Sequence, residues 1–150
     1  MERILIVDDD EAILQNVSRA LKIEGYQVDV ASNGRKAIEL AQRSFYNLAL
    51  IDIRLPDMEG TELLTALKKV TPRMVRIILT GFPTLSNAIA AVNKEADGYL
   101  TKPVKMDELI KTIKEHLVKQ SKEDVYDEEK VSEFVESRLR KLETENDSKK

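Results

Sequence analysis

The chain has 150 residues, of which 42% are hydrophobic, and a formal net charge of −3 from 24 basic and 27 acidic side chains. That length fits one domain with a small appendage, and the absence of cysteine excludes disulfides, thiolate catalysis and cysteine-based metal sites. No apolar run approaches the ~20 residues that cross a bilayer, and no region is basic enough for phosphate contacts. We therefore expect a cytoplasmic protein that binds neither membranes nor nucleic acid directly.

Short apolar runs alternate with segments of helical periodicity along residues 1–119. The run Ile4–Val7 is typical of a strand covered on both faces, and a helical pattern follows it up to Gly25, a predicted C-cap. Four more strands are predicted at residues 28–30, 48–51, 75–79 and 98–101, each followed by a helix. This (βα)5 pattern predicts an α/β fold, a doubly wound parallel five-stranded sheet with helices on both faces.

The last segment, residues 120–150, holds the whole excess of acid and lacks Gly and Pro, which predicts a domain boundary near Lys119. Residues 121–124 are predicted to be a linker. An apolar stripe then predicts a C-terminal helical extension from about Glu128 to Glu143, with Val131, Phe134, Val135, Leu139 and Leu142 on one face. Such a helix could pack on the domain, pair with a second copy as a short coiled coil, or lead into a missing output domain.

That segment is too short for a DNA-binding or catalytic output module. We therefore expect no DNA-binding output domain within the chain. The chain is then either a stand-alone protein or a fragment of a longer one, and the sequence favours neither.

Polar side chains follow four of the predicted strands. Asp8 and Asp9 end the first strand, Asp52 the third, Thr80 the fourth and Lys102 the fifth. Because the carboxyl ends of parallel strands meet at one edge, these side chains should converge there. Two carboxylates ~4 Å apart repel by ~4 kcal/mol at an effective dielectric constant of ~20, so a cation is expected. Ligands that are all oxygen favour Mg²⁺ or a similar hard ion such as Mn²⁺.

The same groups suit phosphoryl transfer. Lys102 supplies a compact positive charge for a phosphoryl group, and the Thr80 hydroxyl can donate a hydrogen bond to it. Asp52 is then the candidate nucleophile, because a carboxylate can form an aspartyl phosphate. Such transfer needs mainly in-line positioning and charge neutralisation.

Four motifs, each at the end of a predicted strand, resemble those of the response regulator receiver domain, the chemotaxis-type phosphoacceptor of two-component signalling. They are Ile6–Asp9, Asp52–Gly60, Leu79–Gly81 and Asp97–Pro103, and the resemblance covers about residues 2–119. It implies a flavodoxin-like sheet in the order 2-1-3-4-5. It also implies a domain that takes a phosphoryl group from the phosphohistidine of a sensor histidine kinase.

The resemblance assigns the acidic residues to a phosphoacceptor and a metal site. Asp52 matches the phosphoacceptor. Asp8 and Asp9 match the metal-site acids, with Asp9 as a direct ligand and Asp8 partly through water. The backbone carbonyl of Arg54 would join these acids and Asp52 around the ion.

The resemblance also implies a switch. Thr80 and Lys102 match the phosphate-contacting pair, and the Lys102–Pro103 peptide bond is expected to be cis. Tyr99 matches an aromatic side chain that turns inward when Thr80 moves toward the phosphoryl group. The face of the fourth helix, fifth strand and fifth helix would then change its preference for partners.

Two side chains near the mouth of this site differ from the commonest small, polar or acidic choices. Arg54 lies two residues after Asp52, and Phe82 two residues after Thr80. We hypothesise that both hinder the hydrolytic water and lengthen the phosphorylated lifetime. Phe82→Glu is then expected to speed dephosphorylation in a time course, and an unchanged rate would contradict the hypothesis.

Two other functions share part of this chemistry. The first is a Mg²⁺-dependent phosphatase with an aspartate nucleophile, a class known for a second acid two residues after the nucleophile. Arg54 occupies that position here, which argues against turnover chemistry. The second is a receiver-like scaffold that is not phosphorylated, and the intact set of site residues argues against it.

We therefore expect a signalling module rather than an enzyme, with only limited self-phosphorylation and self-dephosphorylation. Its expected partners are a sensor histidine kinase and a downstream target or missing output domain. A second copy could also bind, through the face of the fourth helix, fifth strand and fifth helix or through the C-terminal helix.

Overall fold

A computed structural model describes residues 1–81, 83–93 and 96–148. The strands are β1 (Arg3–Val7), β2 (Gln27–Ala31), β3 (Leu48–Ile51), β4 (Val75–Thr80) and β5 (Gly98–Thr101). The helices are α1 (Glu11–Ile23), α2 (Gly34–Arg43), α3 (Gly60–Val70), α4 (Leu85–Asn93) and α5 (Met106–Ser148). All strand pairs are parallel, and the sheet order is β2-β1-β3-β4-β5. The predicted (βα)5 architecture and sheet order are confirmed.

The three central strands are the most buried part of the sheet. Every residue of β3 and β4 is buried, and so is all of β1 except Arg3. Strands covered by helices on both faces read as continuous apolar runs, which is why these segments were recognisable in the sequence. On one face, Leu63, Leu64 and Leu67 of α3 complete a core cluster with β1, β3 and β4.

Local signals begin and end the helices that separate these strands. The Asp10 side chain caps α1 by accepting from the backbone N–H of Ala12 at 3.0 Å. Asn33 caps α2 by accepting from the Lys36 N–H at 2.8 Å. Gly25 follows α1 with a φ of 97°, a left-handed conformation that glycine adopts without a steric penalty.

The fifth helix differs from its prediction. The segment 121–124, predicted to be a linker, is helical, and the predicted helix over 128–143 forms part of α5. The segment contains no Gly or Pro, and its Lys and Glu residues have high helix propensity. The chain divides into two compact units, Met1–Lys114 and Glu115–Lys150, a boundary slightly before the predicted one. Among the described residues, no helix combines the length and apolarity needed to cross a membrane.

Candidate functional site

Three carboxylates converge at the carboxyl edge of the sheet. Asp8 and Asp9 follow β1 and Asp52 follows β3, which are neighbouring strands with Val7 opposite Ile51. One oxygen from each of the three aspartates lies within 4.8 Å of the others. Asp8 and Asp52 are buried, whereas Asp9 is exposed. This all-oxygen set fits a hard divalent cation, which could enter from the side of Asp9.

Backbone hydrogen bonds fix these carboxylates in place. The Asp8 N–H donates to the Ala31 carbonyl at 3.1 Å, and the Asp52 N–H donates to the Val7 carbonyl at 2.9 Å. One carboxylate oxygen of Asp8 accepts from the Asp10 N–H at 2.9 Å. The sheet therefore holds the acids together although like charges repel at this distance.

Lys102 places a positive charge in direct contact with this acidic cluster. Its Nζ lies 2.6 Å from Asp8 Oδ2 and 3.3 Å from Asp52 Oδ2. The Lys102 N–H donates to the Thr80 carbonyl at 2.7 Å, and the Lys102–Pro103 peptide bond is cis, the isomer that the resemblance implies. The ammonium group is thus positioned between the two buried carboxylates.

The pKa values reflect burial and this ion pair. Burial raises the pKa of Asp8 above its ordinary value, and the bond to Lys102 opposes the shift without reversing it. Burial alone would lower the pKa of Lys102, but the hydrogen bond and charge of Asp8, together with the charge of Asp52, outweigh it and raise that pKa. Lys102 therefore stays protonated at neutral pH.

Thr80 and Tyr99 lie on the neighbouring strands β4 and β5. Thr80 is fully buried at the end of β4, opposite Thr101 of β5. The Tyr99 ring packs against the core cluster, and its buried hydroxyl has no hydrogen-bond partner among the described residues. Burial raises the pKa of Tyr99. Arg54 is exposed beside Asp52, whereas Phe82 lies outside the described residues.

Comparison with known proteins agrees with this arrangement. Residues 4–114 match the model of the response regulator receiver domain family. The chain belongs to this family. It is 46% identical to a CheY-like receiver domain protein from Methanospirillum hungatei, whose crystal structure superposes with a TM-score of 0.80 over 82% of this chain and 98% of that one.

Two further receiver-containing proteins are useful for comparison. The cell cycle response regulator CtrA of Brucella ovis is 35% identical over 111 residues, covering 74% of this chain and 48% of CtrA. A Burkholderia pseudomallei response regulator, crystallised with a phosphorylated aspartic acid, is 27% identical with a TM-score of 0.73, covering 83% of this chain and 73% of that one. The chain spans about half the length of the curated relatives it matches.

Gly60 lets the start of α3 pack directly against the end of β3 in this receiver. Its N–H donates to the Ile53 carbonyl at 2.7 Å. A Cβ at Gly60 would lie 2.8 Å from Ile53 Cα and even closer to the Asp52 carbonyl oxygen. In the sequence Gly60 is only the last residue of the motif Asp52–Gly60, since the backbone that it contacts is not visible in a local pattern.

Asp57 is a positioning residue of the receiver that sequence analysis missed. Its two carboxylate oxygens accept from the N–H groups of Gly34 and Arg35, each at 2.9 Å. The loop after Asp52 therefore caps the N-terminus of α2. Asp57 lies within a quoted motif, but its partners are more than twenty residues away and no local signal identifies them.

Asp57→Asn is expected to lower the free energy of unfolding at pH 7, because asparagine is uncharged and its single side-chain oxygen leaves one of the two N–H groups without an acceptor. The two backbone N–H groups of α2 hold the pKa of Asp57 below its ordinary value of 3.8. The Asp57 carboxylate therefore makes its full contribution to the free energy of unfolding above pH 3.8, and this contribution is lost as pH falls through the folded-state pKa. Urea unfolding should show that the difference in the free energy of unfolding between wild type and Asp57→Asn is smaller at pH 3 than at pH 7.

Glu39→Gln, on the exposed surface of α2, is the control and should leave stability nearly unchanged at both pH values. If Asp57→Asn lowers the free energy of unfolding by the same amount at pH 7 and pH 3, the result would contradict the capping role.

Proposed function

We propose that this receiver accepts a phosphoryl group on Asp52 from the phosphohistidine of a sensor histidine kinase, with Mg²⁺ or Mn²⁺ as cofactor. The observation that carries the proposal is the convergence of Asp8, Asp9 and Asp52 with the Lys102 ammonium group. The phosphorylated aspartic acid of the Burkholderia pseudomallei relative supports it. A cytoplasmic location remains a prediction.

The donor set fits the ion because it offers oxygen ligands only. Asp8, Asp9 and Asp52, with the backbone carbonyl of Arg54, would hold it. When bound, the ion would supply positive charge to neutralise the carboxylates and the incoming phosphoryl oxygens. The resemblance assigns the Arg54 carbonyl to this shell, and the exposed Arg54 side chain would border the site.

Asp52 acts as the nucleophile in the proposed transfer. A carboxylate oxygen of Asp52 attacks phosphorus in line, a P–O bond forms, the P–N bond to the kinase imidazole breaks, and the imidazole leaves. Lys102 already lies 3.3 Å from Asp52 Oδ2, so its ammonium group can pair with the new phosphoryl oxygens. The Thr80 hydroxyl would donate to another of these oxygens.

The proposed output is a change in the partner preference of the face formed by α4, β5 and residues 106–114 of α5. The movement of Thr80 toward the phosphoryl group would leave space into which Tyr99 turns further. The unsatisfied Tyr99 hydroxyl is consistent with a side chain that has a second arrangement. Leu85 and Ile89 of α4, 78% and 51% exposed, offer this face an apolar surface for a target or a second copy.

A phosphate-release assay separates this proposal from phosphatase activity. The protein is incubated with Mg²⁺ and a small-molecule phosphodonor, and released phosphate is compared with phosphoryl groups retained on the chain. A receiver retains up to one phosphoryl group per chain and releases phosphate slowly. Rapid release of many equivalents, with no retained group, would favour the phosphatase. The absence of both, also with a phosphorylated kinase as donor, would favour the unphosphorylated scaffold.

A further inference from the structure

Large apolar side chains in the second unit, Glu115–Lys150, lie half exposed along α5. They are Val118, Val135, Leu139 and Leu142, with 55%, 48%, 55% and 57% of their surface accessible. All four fall into one heptad frame, since Val118 and Leu139 take position a while Val135 and Leu142 take position d. Positions a and d form the seam between two helices of a coiled coil.

The charges beside this seam select a parallel partner of the same sequence. In a parallel pair, position g faces position e of the next heptad, so Arg138 at g would meet Glu143 at e of the second copy. In an antiparallel pair, e positions face e positions. Those positions hold Glu129, Glu136 and Glu143, which would place acid against acid.

We propose that residues 132–145 pair with a second copy of this chain as a parallel two-stranded coiled coil. Leu139 and Leu142 form its central layers and Val135 the layer before them. Position a holds Ser132 and the preceding d position holds Glu128, so the apolar seam is confined to the C-terminal part of α5. Two heptads give a weak, concentration-dependent association.

This dimer goes beyond the proposed function, because its contacts do not involve the site at Asp52. It would hold two receivers together before phosphorylation. Tests are therefore made in an Asp52→Asn background as well as in the wild type, so that failure of phosphorylation and failure of dimerisation are distinguishable.

Single cysteines report the seam directly, because the chain has no cysteine of its own. Leu142→Cys, at position d, is compared with Ser137→Cys, at the outward position f, in the full chain under a glutathione redox buffer. The proposal expects a disulfide-linked dimer, seen as a doubled intact mass, for Leu142→Cys but not for Ser137→Cys. Equal crosslinking of the two variants, or none at Leu142→Cys, would overturn it.

Charge reversal tests the parallel orientation. Arg138→Glu is expected to weaken dimerisation by about tenfold in sedimentation equilibrium, because an attractive pair on each side of the seam becomes repulsive. Adding Glu143→Arg to that variant should restore the affinity. Circular dichroism confirms that each variant keeps its helix content. If the double variant keeps its helix content but dimerises as weakly as Arg138→Glu alone, the parallel pairing is overturned.

Discussion

Gly60→Ala is expected to lower the free energy of unfolding by about 3 kcal/mol, the upper part of the usual range for overpacking. The added Cβ would lie 2.8 Å from Ile53 Cα and closer to the Asp52 carbonyl oxygen, and neither backbone atom can rotate away. Alanine improves helix propensity by about 1 kcal/mol at most, so the clash dominates. Urea unfolding measures the loss. Phosphoryl incorporation should fall too, since relief of the clash displaces Asp52.

Gly81→Ala provides the matched control. Among the residues that the structure describes, a Cβ at Gly81 would meet only the flexible side chain of Lys102, at 3.9 Å, which is an ordinary van der Waals contact. Its stability should stay within about 1 kcal/mol of wild type. If both glycine variants unfold at the same urea concentration as the wild type, the close approach of α3 to Asp52 is not a constraint on the fold.

Lys102→Ala is expected to destabilise the protein by about 2–4 kcal/mol, because removing one partner of a buried ion pair leaves uncompensated charge. Asp8 and Asp52 would both lose their ammonium partner, at 2.6 and 3.3 Å. Added Mg²⁺ should recover more stability in this variant than in wild type, because the ion then supplies the missing positive charge. Urea unfolding with and without Mg²⁺ measures both effects.

Lys105→Ala removes an exposed lysine from the same loop and should behave like the wild type with and without Mg²⁺. If Mg²⁺ stabilises Lys102→Ala no more than the Lys105→Ala control, then the ion and the ammonium group do not compensate the same carboxylates.

The sequence predicts the sheet because burial on both faces leaves a simple pattern. The runs Ile4–Val7 and Leu48–Ile51 are continuous and apolar, and each ends in an aspartate where the strand leaves the core. The segment 121–124, predicted to be a linker from its polarity, is helical because its Lys and Glu residues have high helix propensity. A solvent-facing helix needs no apolar residue in every turn, and nothing in that segment breaks a helix.

The candidate site is predictable only in part, for a related reason. Strand ends bring Asp8, Asp52 and Lys102 to one edge, so their convergence follows from topology. The capping of α2 by Asp57 and the backbone contact of Gly60 depend on how separate loops pack, and no local periodicity records that packing. Both were found only from the three-dimensional structure.

The most direct test of the central claim is the intact mass of the protein after incubation with a small-molecule phosphodonor. Wild type, Asp52→Asn and Asp107→Asn are compared in Mg²⁺ and in excess chelator, with Asp107→Asn as a control at an exposed aspartate of α5. We predict one phosphoryl group on wild type and on Asp107→Asn in Mg²⁺, and none on Asp52→Asn or in chelator. A phosphoryl group on Asp52→Asn equal to that on wild type would contradict the account.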